Sequence, residues 1–82
     1  MAIVYILKSE KAEKTYTGST TDLDRRLHEH NNGRGTFSSR YTPWKVVYTE
    51  ECNTIEEARE REQYLKSAAG RKYIRKHNLI PQ

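Results

Sequence analysis

Ala2-Ile3-Val4-Tyr5-Ile6-Leu7-Lys8 is the stretch that decides the fold. Apolar side chains fill both registers, Ile3, Tyr5 and Leu7 against Val4 and Ile6. A β-strand that is apolar on both faces belongs in the middle of a sheet covered above and below. Working outward, Ser9 to Lys14 is polar and reads as a hairpin loop. Thr15-Tyr16-Thr17 then forms a short second strand, polar enough for an edge and ending at Gly18. Thr21 followed by Asp24 has the form of a helix start, with Asp22 and Asp24 close to its positive end. That helix runs to about Asn31, buries Leu23 and Leu27, and stops at Asn31-Asn32-Gly33. After a Gly- and Ser-containing loop from Arg34 to Arg40, Pro43 opens a third strand through Glu50. Trp44, Val46 and Tyr48 there alternate with Lys45, Val47 and Thr49. Thr54-x-x-Glu57 is a capping box for a second helix reaching about Ala69. Gly70 interrupts it, and a short basic helix from about Arg71 to Asn78 turns Tyr73 and Ile74 inward. The expected fold is α+β, a three-stranded antiparallel sheet flanked by helices in the order β-β-α-β-α-α.

The bulk properties bound what such a chain can do. Its 82 residues make one domain, 1–82, of a size that buries about 60–65% of its unfolded surface. Apolar residues make up 34% and charged residues 32%, so the core is a thin layer to which six tyrosines and one tryptophan contribute heavily. The formal charge is +4 and the pI about 9.3, which suits a polyanionic partner. The distribution says more: no acidic residue follows Glu62, while Lys66, Arg71, Lys72, Arg75 and Lys76 all do. Between Gly33 and Tyr48 the charges are Arg34, Arg40 and Lys45. A solvated basic face is the plainer reading of the same runs. Cys52 is alone, which excludes an internal disulfide and fits a reducing cytoplasm. Met1 to Leu7 is too short and lacks the basic leader of a signal peptide, and no stretch approaches a membrane span.

A few polar residues stand out against this frame. The inward positions of the second helix run Ile55, Ala58, 62, Leu65 and Ala69, yet position 62 is a glutamate. A carboxylate at the edge of a buried stripe needs a cation, a metal or several donors; a surface pairing with Arg59 or Lys66 is the alternative. Arg26 and His30 lie four apart and share a helix face, read here as distinct from the Leu23/Leu27 stripe. An arginine so placed can grip a phosphate, although a solvent-facing helix with an Arg25–Glu29 pair accounts for it too. Tyr5 in a central strand must find its phenol a partner, Tyr16 covers the same face, and Gly18 allows close approach or simply a turn.

Taken together, Val4-Tyr5, Tyr16-Thr17-Gly18, Asp22-Leu23-Asp24-Arg25-Arg26-Leu27 with His30, and Glu62 on a later helix resemble the GIY-YIG nuclease domain. The likeness spans essentially the whole chain, including Ser39-Arg40-Tyr41 and the Trp44 strand, at the length of a stand-alone member. Two motifs depart from the family's spelling: Gly-Ile-Tyr reads Ile3-Val4-Tyr5, and Tyr-Ile-Gly reads Tyr16-Thr17-Gly18.

The resemblance implies a metal-dependent endonuclease hydrolysing phosphodiester bonds in nucleic acid, DNA ahead of RNA, with DNA repair or recombination as its setting. It implies Tyr5, Tyr16, Arg26, His30 and Glu62 as catalytic residues, with Glu62 the carboxylate on one Mg²⁺ or Mn²⁺. It makes Tyr41 a further active-site aromatic and Asn78 the family's late polar residue. Arg34, Arg40, Tyr41, Lys45, Lys66, Arg71, Lys72, Arg75 and Lys76 are the expected nucleic-acid contacts. Phosphate contacts carry no sequence information, so cleavage directed by structure or by single-strandedness is expected, with any targeting left to a protein partner. A non-catalytic nucleic-acid-binding module on the same scaffold is the competing expectation.

Overall fold

The computed structural model describes residues 1–32 and 40–80; Arg34 lies outside them. The order is β1 (Ala2–Ser9), β2 (Thr15–Thr20), α1 (Leu23–Asn31), β3 (Trp44–Cys52), α2 (Ile55–Lys66) and α3 (Ala68–Lys76). The strands form one antiparallel sheet in the order β2-β1-β3, so the doubly apolar strand is central, as its composition requires. Helices cover both faces. Tyr5, Leu7 and Trp44 pack with Leu23 and Leu27 of α1. On the other face, Ala2 and Val4 pack with Ala58 and Leu65 of α2 and with Tyr73 and Ile74 of α3. Burying each large aliphatic side chain contributes about 1.5–3 kcal/mol. Among the described residues no helix is long and apolar enough to cross a membrane.

Several boundaries differ from the sequence reading, each for a local reason. β2 continues through Gly18 to Thr20, pairing Ser19 with Val4 and Thr20 with Ile3. The N-cap of α1 is Asp22 rather than Thr21: its carboxylate accepts from the Arg25 amide at 3.1 Å, and the Thr20 hydroxyl accepts from the Asp22 amide at 3.1 Å. The Thr54 cap is as read, its hydroxyl accepting from the Glu57 amide at 3.1 Å. α2 ends at Lys66, and Ser67 both terminates it and caps α3 by accepting from the Gly70 amide. Gly70 therefore lies inside α3 and does not break it. A Cβ there would sit 1.9 Å from the Tyr64 carbonyl oxygen, so glycine permits the tight α2–α3 corner.

The alternation expected along β3 fails at one point. Leu7 pairs with Val46 while Ile6 pairs with Tyr48, leaving Val47 as an extra residue, a β-bulge. Tyr48 consequently turns to the α2–α3 face, where its hydroxyl donates to Glu50 at 2.5 Å. Glu50 also accepts from Arg61 at 3.0 Å, and the Arg61 guanidinium lies over the rings of Tyr64 and Tyr73. Desolvation and the neighbouring carboxylate push the Tyr48 phenol up to about 12.

Candidate active site

The site is built where the two faces of the sheet meet, along the edge strand β2. Tyr5 and Gly18 are ladder partners. A Cβ at position 18 would come within 2.5 Å of the Tyr5 hydroxyl and 2.7 Å of Cζ. Only glycine lets the Tyr5 ring lie across β2 and carry its hydroxyl to the edge. Tyr5 is 1% exposed, and its ring stacks on Tyr16 with centroids 6.4 Å apart.

α1 supplies the next two groups. Leu23, Arg26, Leu27 and His30 follow the i, i+3, i+4, i+7 rule, so all four belong to one sheet-facing stripe. This corrects the reading of Arg26 and His30 as a face apart from the leucines. His30 is 5% exposed; its ring lies 4.5 Å from that of Tyr16, and its Nε2 is 3.3 Å from the Tyr5 hydroxyl. The Arg26 guanidinium acts electrostatically on the phenol of Tyr5 and donates to Glu29 at 3.1 Å. Glu29 faces Arg25 as well, at 3.5 Å, so it bridges both arginines. The Tyr5–His30 contact is one hydrogen bond between a neutral phenol and a neutral imidazole, its direction set by the tautomer.

The electrostatics agree with that neutrality. Burial pushes the Tyr5 phenol above its ordinary value, outweighing the hydrogen bond from Arg26, and the charge of Glu62 adds to the rise. Burial, reinforced by Arg26, holds His30 below the usual imidazole range despite Glu29. Both groups are therefore neutral at pH 7. The positive charge of Arg26 does not suffice to ionise the phenol, contrary to what a tyrosine base would need.

Glu62 approaches from the opposite face. Its Oε1 accepts from the Ser19 hydroxyl of β2 at 2.6 Å, and its Oε2 faces the Lys66 ammonium at 2.5 Å. The carboxylate thus reaches the β2 edge near enough to act on the Tyr5 phenol. The Glu62 side chain is 19% exposed and that of Lys66 52%, so the cation against Glu62 lies at the surface. A hard oxygen donor steadied by a hydroxyl suits Mg²⁺ or Mn²⁺, which would have to displace the Lys66 ammonium from it. Among the described residues no cluster of three or more His, Cys, Asp or Glu side chains could hold a metal. A divalent ion at Glu62 must therefore draw most of its shell from water and phosphate oxygens.

The expected basic contacts separate into groups. Lys66, Arg71 and Arg75 line a groove with Thr15, Tyr16 and Thr17 beside the site. Arg26 opens onto a second cleft with Ser19, Ile55 and Arg59. Lys72 and Lys76 are exposed elsewhere on α3, and Lys45 stands opposite Lys8 on the far strand. Arg40 is exposed, and Tyr41 packs against Trp44 near Lys14, at the end of the sheet where Ser9 donates to its carbonyl. Asn78 takes a left-handed backbone, φ 52°, as the residue after the α3 cap, a structural duty that asparagine tolerates well.

Sequence reasoning missed Ser19, Glu29 as a clamp on Arg26, and Asn31. The Asn31 amide exchanges two hydrogen bonds with the Trp44 backbone, at 2.6 and 3.2 Å, locking the end of α1 to the start of β3. Continuing the period-two alternation past Gly18 would have turned Ser19 towards α2.

The family model of the GIY-YIG catalytic domain matches residues 1–78, and the chain belongs to the GIY-YIG family. It is 46% identical over 70 residues to a UPF0213 protein of Clostridium perfringens, covering 80% of this chain and 71% of that one. It is 36% identical over 80 residues to a UPF0213 protein of Streptococcus agalactiae, covering 93% and 90%. The solution NMR structure of a UPF0213 protein from Bacillus halodurans superposes with a TM-score of 0.56 at 33% identity, covering 99% of this chain and 89% of that one. Domains of the family are typically DNA-binding endonucleases that generally use divalent metals, which supports a nuclease-type function here.

Proposed function

We propose that this chain is a metal-dependent endonuclease that hydrolyses phosphodiester bonds in DNA, directed by structure or single-strandedness with low sequence specificity. One observation carries the reading: along β2 the Tyr5 phenol lies against Gly18, Glu62 accepts from Ser19, and Arg26 lines a cleft with that same Ser19. Glu62, steadied by Ser19, would hold the divalent ion. When bound, the ion supplies Lewis-acid stabilisation of the leaving oxygen. Arg26, fixed by Glu29, neutralises charge on the phosphoryl oxygens. Tyr5 orients the attacking water; because its phenol is neutral, it takes the water's proton only as it passes its own to His30 Nε2. Tyr16 walls the pocket and holds the His30 ring.

The Lys66–Glu62 pair favours a second reading, a binding module in which that carboxylate has no metal to hold. The two readings part on one experiment. Wild type should nick branched or single-stranded DNA only with added Mg²⁺ or Mn²⁺. Arg26→Ala should cut the rate by roughly 10²–10³ and Glu62→Ala by at least as much. DNA binding by the wild type without cleavage in either metal would establish the binding module instead.

A further inference from the structure

We infer that the groove between the β2 edge and α3 seats an unpaired strand of nucleic acid leading out of the site; this rests on the nuclease reading and narrows its substrate to one with a single-stranded arm. The groove has a volume of about 740 Å³. Lys66, Arg71 and Arg75 line it with cations, Leu65, Ile74 and Ile80 give it an apolar lining, and Tyr16 lines it too. No acidic side chain lines it, so its charge complements a polyanion throughout.

Two residues make groove and site continuous. Tyr16 packs on His30 and on Tyr5, while Lys66 holds Glu62. A phosphate placed among these groups continues directly into the groove. Arg71 and Arg75 lie four apart on α3, about 6 Å along its axis, and so present two cations in file to one backbone.

The mixed lining selects the kind of strand. A duplex turns its bases inward and meets a protein mainly through phosphates, leaving an apolar lining without a partner. An unpaired strand offers base faces to Ile74, Ile80 and the Tyr16 ring while the arginines hold its phosphates. Lys72 and Lys76 belong to the same helix but do not line the groove, which makes them a matched control for charge.

The test is fluorescence anisotropy with a labelled oligothymidylate and a blunt duplex of equal length, in EDTA so that nothing is cut. Wild type should bind the single strand at least about five-fold more tightly than the duplex. Arg71→Ala with Arg75→Ala should weaken strand binding roughly ten-fold and lower the salt slope by about 1.4, whereas Lys72→Ala with Lys76→Ala should change it less than about three-fold. Equal losses in both pairs, equal affinity for duplex, or tighter binding of a poly-glutamate peptide than of the strand overturns the assignment. Groove binding as expected, with no cleavage once metal is restored, sinks only the nuclease reading. Cleavage with indistinguishable pairs sinks only the groove.

Discussion

At the scale of single residues, the proposed chemistry turns on two neutral groups in contact, Tyr5 and His30. Burial raises one and lowers the other, so the pair can pass a proton without first forming an ion. The depressed imidazole also links pH to folding. In the unfolded chain His30 binds its proton near pH 6.5, whereas in the folded protein it does so only at lower pH. Its contribution is therefore complete above about pH 6.5 and is lost as the pH falls toward its folded value, because the unfolded state then binds more protons. Denaturant titrations should show unfolding free energy dropping as the pH falls below about 6.5 in the wild type, with a shallower slope in His30→Gln; equal slopes would contradict the lowered imidazole. Much of this site was legible in the residues themselves. A glutamate on an apolar stripe violates burial rules and a tyrosine in a central strand must find its phenol a partner, and both point to the candidate pocket. Ser19 and Glu29 break no such rule, and only their neighbours in space reveal what they hold.

At the scale of elements, the order and pairing of strands and helices follow from composition: a doubly apolar strand between two polar ones leaves little choice of centre. What periodicity does not carry is an inserted residue. Val46 and Val47 are equally apolar, so nothing along β3 signals the bulge that sends Tyr48 to the other face. Gly70 was misread for a related reason, since a glycine needed for close packing looks the same as one that ends a helix. The edge strand β2 is the element on which function depends, because Gly18 lets Tyr5 cross it. Gly18→Ala should cost about 1–3 kcal/mol in unfolding free energy and draw the Tyr5 hydroxyl away from Arg26 and His30, reducing cleavage along with stability. Full stability in chemical denaturation would mean the ring does not lie over position 18.

At the scale of the whole molecule, a sheet with helices on both faces keeps its two cores apart everywhere except at its edges. The tyrosines and Arg26 belong to the α1 side and Glu62 to the α2 side, so β2 is where they can meet. The charge follows the same geography. All acidic residues precede α3, and the three cations beside β2 line a groove that opens from the meeting point. The sequence showed the basic excess but not its division, because the α-helical turn that faces Arg71 and Arg75 to the groove leaves Lys72 and Lys76 outside it. Paramagnetic broadening of backbone amide signals by added Mn²⁺ tests the convergence most directly. Broadening should centre on Glu62 and Ser19, extend across β2 to Tyr5 and Gly18, and vanish in Glu62→Gln. Broadening that survives Glu62→Gln, or that stays on the α2 face without reaching Tyr5, would contradict a single site made from both faces.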